Sequence, residues 1–123
     1  MISLLNIHQN GYLSMQNHEI LDEIQKVLQA RKSASDEQSY VASLYSKGLD
    51  HILKKVGEES SEVIIAAKGS DSVELTKEVA DLWFHCMVML ANKNIDVNDV
   101  LTELSDRFGI SGIEEKASRV VKN

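Results

Sequence analysis

Proline is missing from this 123-residue chain, and glycine is scarce at six residues. Aromatic residues make up only 5%, against 43% apolar residues overall, so a core has to come mostly from Leu, Ile, Val, Ala and Met. This composition excludes a turn-rich sandwich or barrel and suits a helix bundle. There is one cysteine, which excludes an internal disulfide; Cys86 lies in an apolar run and reads as a small buried hydrophobe in a reducing cytosol. No stretch approaches the roughly 20 apolar residues of a membrane span. Residues 1–13 have neither a basic start nor a long apolar run, so no secretory signal is expected and the location read from the sequence is cytoplasmic. Positive charge is also short. Thirteen Lys and Arg face nineteen Asp and Glu, and the net charge of −6 argues against nucleic acid or an anionic membrane as the main partner.

What is present is helical period. The length fits one domain with one core. Ile20, Leu21, Ile24, Val27 and Leu28 recur at three- and four-residue steps and predict an amphipathic helix over residues 17–30. Residues 32–37 are polar and non-periodic, a loop, and a short helix follows over 39–46 with Gly48 placed to break it. Ile52, Leu53, Val56, Val63, Ile64 and Ala67 predict a helix of roughly twenty residues ended by Gly69. Asp71 with Glu74 resembles a capping box for the next helix, which runs to about Asn92. That helix is apolar on most sides and is expected at the centre of the bundle, with Trp83 read first as core and second as a base-stacking group. Asn94 supplies a left-handed cap, Asp96 starts a further helix, and Ser111 with Glu114 caps a last one over 112–121. The expected architecture is an all-α bundle of five to six helices, with two long central antiparallel helices. Residues 15–123 form the helical domain, and residues 1–14 are a disordered leader or a misassigned start.

The chemistry-bearing residues lie on the two central helices. One carries Glu58, Glu59 and Glu62, the other Glu78 and Asp81. At 3.6 residues per turn, Glu59 and Glu62 lie roughly 60° apart around their helix, and so do Glu78 and Asp81. The midpoints of the two pairs are similarly distant from the turn near Gly69, so antiparallel packing brings all four carboxylates together. Glutamates on a helix are ordinarily a solvated face. The setting of Glu78 and Asp81 argues otherwise, because they interrupt an apolar helix and buried carboxylates need partners. Four convergent carboxylates raise one another's pKa values unless a cation neutralises them. An all-oxygen donor set suits magnesium or manganese. Such a metal would also let an acidic protein hold a phosphate that its own field repels.

Lys47, Lys54 and Lys55 precede the acidic motif and are candidates for binding phosphate; for Lys55, pairing with Glu59 is the equal alternative. His85, one turn beyond Asp81, reads first as a satisfied interior histidine and second as a group that positions substrate or water. No phosphate loop, dinucleotide fingerprint, HExxH, CxxC or GxSxG motif is present.

The segment Lys54-Lys55-Val56-Gly57-Glu58-Glu59-Ser60-Ser61-Glu62, followed by Glu78-Val79-Ala80-Asp81-Leu82-Trp83-Phe84-His85, resembles the all-helical nucleoside triphosphate pyrophosphohydrolases related to MazG. Within that superfamily the flanks, Ser39 to Leu44 with Lys47-Gly48 and then Arg107-Phe108-Gly109, are most similar to the phosphoribosyl-ATP pyrophosphatase family. The similarity spans about residues 15–119. It implies magnesium-dependent hydrolysis of phosphoribosyl-ATP to phosphoribosyl-AMP and pyrophosphate in L-histidine biosynthesis. Glu59, Glu62, Glu78 and Asp81 match the family's metal-binding pattern, and Glu58 is the spare carboxylate expected to orient or deprotonate water. The resemblance also implies a homodimer, with phosphoribosyl-AMP cyclohydrolase as a separate functional neighbour. Two rival functions share these motifs. One is a house-cleaning nucleoside triphosphate pyrophosphohydrolase on the same scaffold; the other is a non-catalytic helical interaction module.

Overall fold

The computed structural model describes residues 19–108, apart from 36 and 38. Among the described residues there are five α-helices: α1 (Glu19–Ala30), α2 (Tyr40–Lys47), α3 (Leu49–Lys68), α4 (Ser72–Asn92) and α5 (Val97–Phe108), with a short 3-10 turn (Arg31–Ser33) after α1. The all-α expectation holds. The leader expected over residues 1–14 and the last helix expected over 112–121 lie outside the described residues.

Local signals explain most of the helix boundaries. Ser39 is extended, and its side chain accepts the backbone N–H of Ala42, starting α2 one residue later than its spacing predicts. Gly48 separates α2 from α3 at φ 95°, a conformation that glycine adopts without a Cβ clash. Asp71 starts α4 by accepting the N–H groups of Val73 and Glu74 at 3.0 and 3.1 Å. Asn94 takes the expected left-handed conformation at φ 58° between α4 and α5.

The core gathers Leu28 from α1, Val41 and Leu44 from α2, Ile52 from α3, Phe84, Met87, Val88 and Ala91 from α4, and Val97 from α5. Fully burying an aliphatic side chain of this size contributes about 1.5–3 kcal/mol. Polar contacts fix the register around that core. Tyr45 donates its hydroxyl to the Leu28 carbonyl at 3.0 Å, tying α2 to α1. Gln25 bridges α1 to the start of α5: its Oε1 accepts the Val97 N–H at 2.6 Å and its Nε2 donates to Asp96 at 3.1 Å.

Helices α3 and α4 form an antiparallel hairpin across residues 69–71, packed more extensively than any other pair among the described residues. Here the structure corrects one expectation. Helix α4 is buried on one side only; Trp83 is 62% exposed and Cys86 half-buried. With Leu21, Met87, Leu90 and Leu104 they line an open apolar groove of about 310 Å³ between α1, α4 and α5. Sequence periodicity counts apolar positions, but the helices among the described residues do not cover every side of α4.

Candidate active site

The hairpin brings three of the four predicted carboxylates together. Glu59 on α3 and Glu78 and Asp81 on α4 each offer an oxygen within 4.8 Å of the others, and all three side chains are half-buried. Their convergence follows from the hairpin's symmetry: Glu59 stands as far before the turn as Asp81 stands after it. Glu62 sits one turn further along α3, exposed and outside this group.

The electrostatics show how crowded the group is. Partial burial raises the pKa of Glu78 first, then a hydrogen bond that its protonated form shares with Glu74, and then the charges of Glu74, Asp81 and Glu59. A divalent cation would relieve that crowding, and three carboxylates form a hard-oxygen donor set. The residues present therefore fit magnesium or manganese.

Lys55 is the nearest balancing charge. Its ammonium lies 3.2 Å from Glu58 and 3.9 Å from Glu59. Burial works to lower the Lys55 pKa, but the hydrogen bond to Glu58 and the neighbouring negative groups outweigh it and raise the value. Glu58 is exposed and also 3.7 Å from Lys54. Its pKa is held low, chiefly by the hydrogen bond from Lys55. Lys54 is exposed on the same stretch of α3, while Lys47 is exposed at the end of α2 and forms no ion pair among the described residues.

His85 adopts the satisfied interior arrangement rather than facing solvent. It is 4% exposed, with Nδ1 2.7 Å from the Asp81 carbonyl oxygen and Nε2 3.0 Å from the Tyr40 hydroxyl. Phe84 and Tyr40 meet its ring edge-on. Tyr40 is the residue that sequence reasoning missed. The one hint was Ser39, a good cap that sets the first turn of α2 but says nothing of a partner 45 positions away.

Comparison with known proteins adds an independent line. Residues 21–108 match the family described as phosphoribosyl-ATP pyrophosphohydrolase. The chain is similar to the phosphoribosyl-ATP pyrophosphatase of Methylococcus capsulatus, 52% identical over 82% of this chain and 96% of the relative. The protein of the same name from Ruthia magnifica is 54% identical, over 83% of this chain and 97% of the relative. That of Hydrogenovibrio crunogenus is 51% identical, over 84% and 95%.

Proposed function

This chain belongs to the phosphoribosyl-ATP pyrophosphohydrolase family, and on that premise we propose that it hydrolyses phosphoribosyl-ATP to phosphoribosyl-AMP and pyrophosphate in L-histidine biosynthesis. The observation that carries the mechanism is the meeting of Glu59, Glu78 and Asp81 across the α3–α4 hairpin. In this reading these three carboxylates hold magnesium, or manganese, and Glu62 is the fourth member of the set. When bound, the cation supplies electrostatic stabilisation of the charge that builds on the phosphate oxygens.

The protein's own residues do the rest. Lys54, Lys55 and Lys47 supply positive charge for the phosphates, which the acidic surface otherwise repels. Glu58 orients the attacking water. With its pKa held low by Lys55, it stays ionised at neutral pH and acts as an acceptor better than as a strong base. Attack at the α–β anhydride releases pyrophosphate.

The apolar groove along Trp83 and Leu104 supports a homodimer, because a second copy would bury side chains that the described residues leave open. No helix among the described residues is long and apolar enough to cross a membrane. A cytoplasmic location and phosphoribosyl-AMP cyclohydrolase as the functional neighbour complete the proposal; neither nucleic acid nor a membrane is a partner in it.

The test is pyrophosphate release with magnesium, comparing phosphoribosyl-ATP with ATP and a panel of deoxynucleoside triphosphates. Strong preference for phosphoribosyl-ATP is the expected result. Preference for ordinary triphosphates would replace the substrate by that of a house-cleaning enzyme. No release from any of them, with folded protein, would leave a non-catalytic module.

A further inference from the structure

With the His85 ring neutral, the chain of hydrogen bonds behind the acidic site has one direction. The Asp81 carbonyl oxygen can only accept, so His85 Nδ1, 2.7 Å away, carries the proton and donates it. In the neutral ring Nε2 is then bare and must accept. The group facing it at 3.0 Å is the Tyr40 hydroxyl, which therefore donates. Its proton committed, the Tyr40 oxygen offers only lone pairs to anything else. The edge-on contact of the two rings and the burial of His85 hold this arrangement in place. Burial pushes the Tyr40 hydroxyl's pKa up, with Lys55 pulling the other way and Glu59, Asp81 and Glu58 adding to the rise, so the hydroxyl is neutral.

We propose that Tyr40 is a positioning residue of the acidic site: through His85 it fixes the turn of α4 that carries Asp81. Two helices meet in this device: Tyr40 comes from α2, and His85 and Asp81 from α4. The turn of α4 that carries Asp81 is thus held by a bond from a helix that contributes no carboxylate. The inference rests on the metal-site reading above, and its test separates the two.

The first measurement is the His85 tautomer in the wild-type protein, read from two-bond couplings in nitrogen-15 spectra at a pH where the ring is neutral. The proton is expected on Nδ1; a proton on Nε2 would overturn the proposal. The second is calorimetric titration of Mn²⁺ alone into wild type and Tyr40→Phe, which keeps the ring and removes the hydroxyl. The variant is expected to fold, to lose the single-tautomer signature, and to bind Mn²⁺ about tenfold more weakly, the low end of what losing an outer hydrogen bond at a metal site costs. Equal affinity in the two proteins would overturn the proposal. So would failure of the variant to fold, since positioning requires the fold to stand without the hydroxyl. A wild-type protein that binds no Mn²⁺ at all would instead remove the metal-site reading itself.

Discussion

Lys55 and Glu58 face each other at 3.2 Å on the same side of α3, one turn apart, and this pair sets what Glu58 can do in the proposed reaction. The ammonium holds the carboxylate ionised well below neutral pH, so Glu58 is available as a hydrogen-bond acceptor throughout the physiological range. Glu58→Gln is expected to lower kcat by roughly a hundredfold or more, the range of a positioned acceptor or base. Mn²⁺ affinity should be nearly unchanged, because Glu58 is not among the converging carboxylates. Steady-state kinetics beside a metal titration checks both; full turnover would remove Glu58 from the reaction.

Glu78 behaves in the opposite sense. Its folded-state pKa is raised above the ordinary value, by burial first and then by Glu74 and its other acidic neighbours. A carboxyl of this kind contributes stability below its unfolded pKa and loses it as pH rises through the folded one. In metal-free protein, Glu78→Gln is therefore expected to raise the melting temperature at neutral pH, by a small amount because solvent screens the group. The same change should reduce magnesium-dependent turnover by about a hundredfold or more, equivalent to about 2.7 kcal/mol or more of lost charge stabilisation. Thermal melts with and without magnesium, together with turnover, check the trade-off.

The same raised value sets the pH dependence of metal binding. A cation competes with protons for these carboxylates. Affinity for Mn²⁺ is therefore expected to begin falling on acidification above the range of an ordinary glutamate, as Glu78 takes up its proton. Calorimetry across the weakly acidic range measures it; an unchanged affinity down to the ordinary carboxylate range would place Glu78 outside the site.

Trp83, 62% exposed beside the open groove, is the natural anchor for a second copy. Trp83→Glu is expected to weaken self-association by roughly thirtyfold or more, since a buried interface tryptophan is commonly worth about 2 kcal/mol or more. Sedimentation over a concentration series reads the shift toward monomer. An unchanged profile would mean that the groove is not the dimer contact.

Gly57 stands in the middle of α3, where a Cβ would meet nothing within 4 Å. Glycine in a helix interior costs about 0.5–1 kcal/mol relative to alanine. Gly57→Ala is expected to stabilise the protein by about that amount, a rise of a few degrees in melting temperature. A loss of activity in a stabilised variant would show that the open space beside Glu58 admits something from outside the chain.

Much of this protein was determined locally. Ser39, Asp71 and Asn94 each act within three residues of their own position, through hydrogen bonds or backbone sterics, so the helix boundaries they set could be read along the chain. The symmetric placement of Glu59 and Asp81 about the turn was equally local arithmetic, because two helices joined by a short connection can only fold back in one register. The rest needed the assembled chain. Glu62 shares the helical phase of the acidic motif and stands level with Glu78 about the turn, yet it is exposed and outside the cluster, since helical phase does not say where a side chain's oxygens end. Trp83 looked like core because apolar residues surround it in sequence, yet no helix of the described chain covers it. The Tyr40–His85 bond joins groups 45 residues apart, and only the packing of α2 against the hairpin brings them to 3.0 Å. Hydrogen bonds of that kind leave no periodic trace in a sequence; their partners are chosen by how the hydrophobic faces settle, and that is a property of the whole fold.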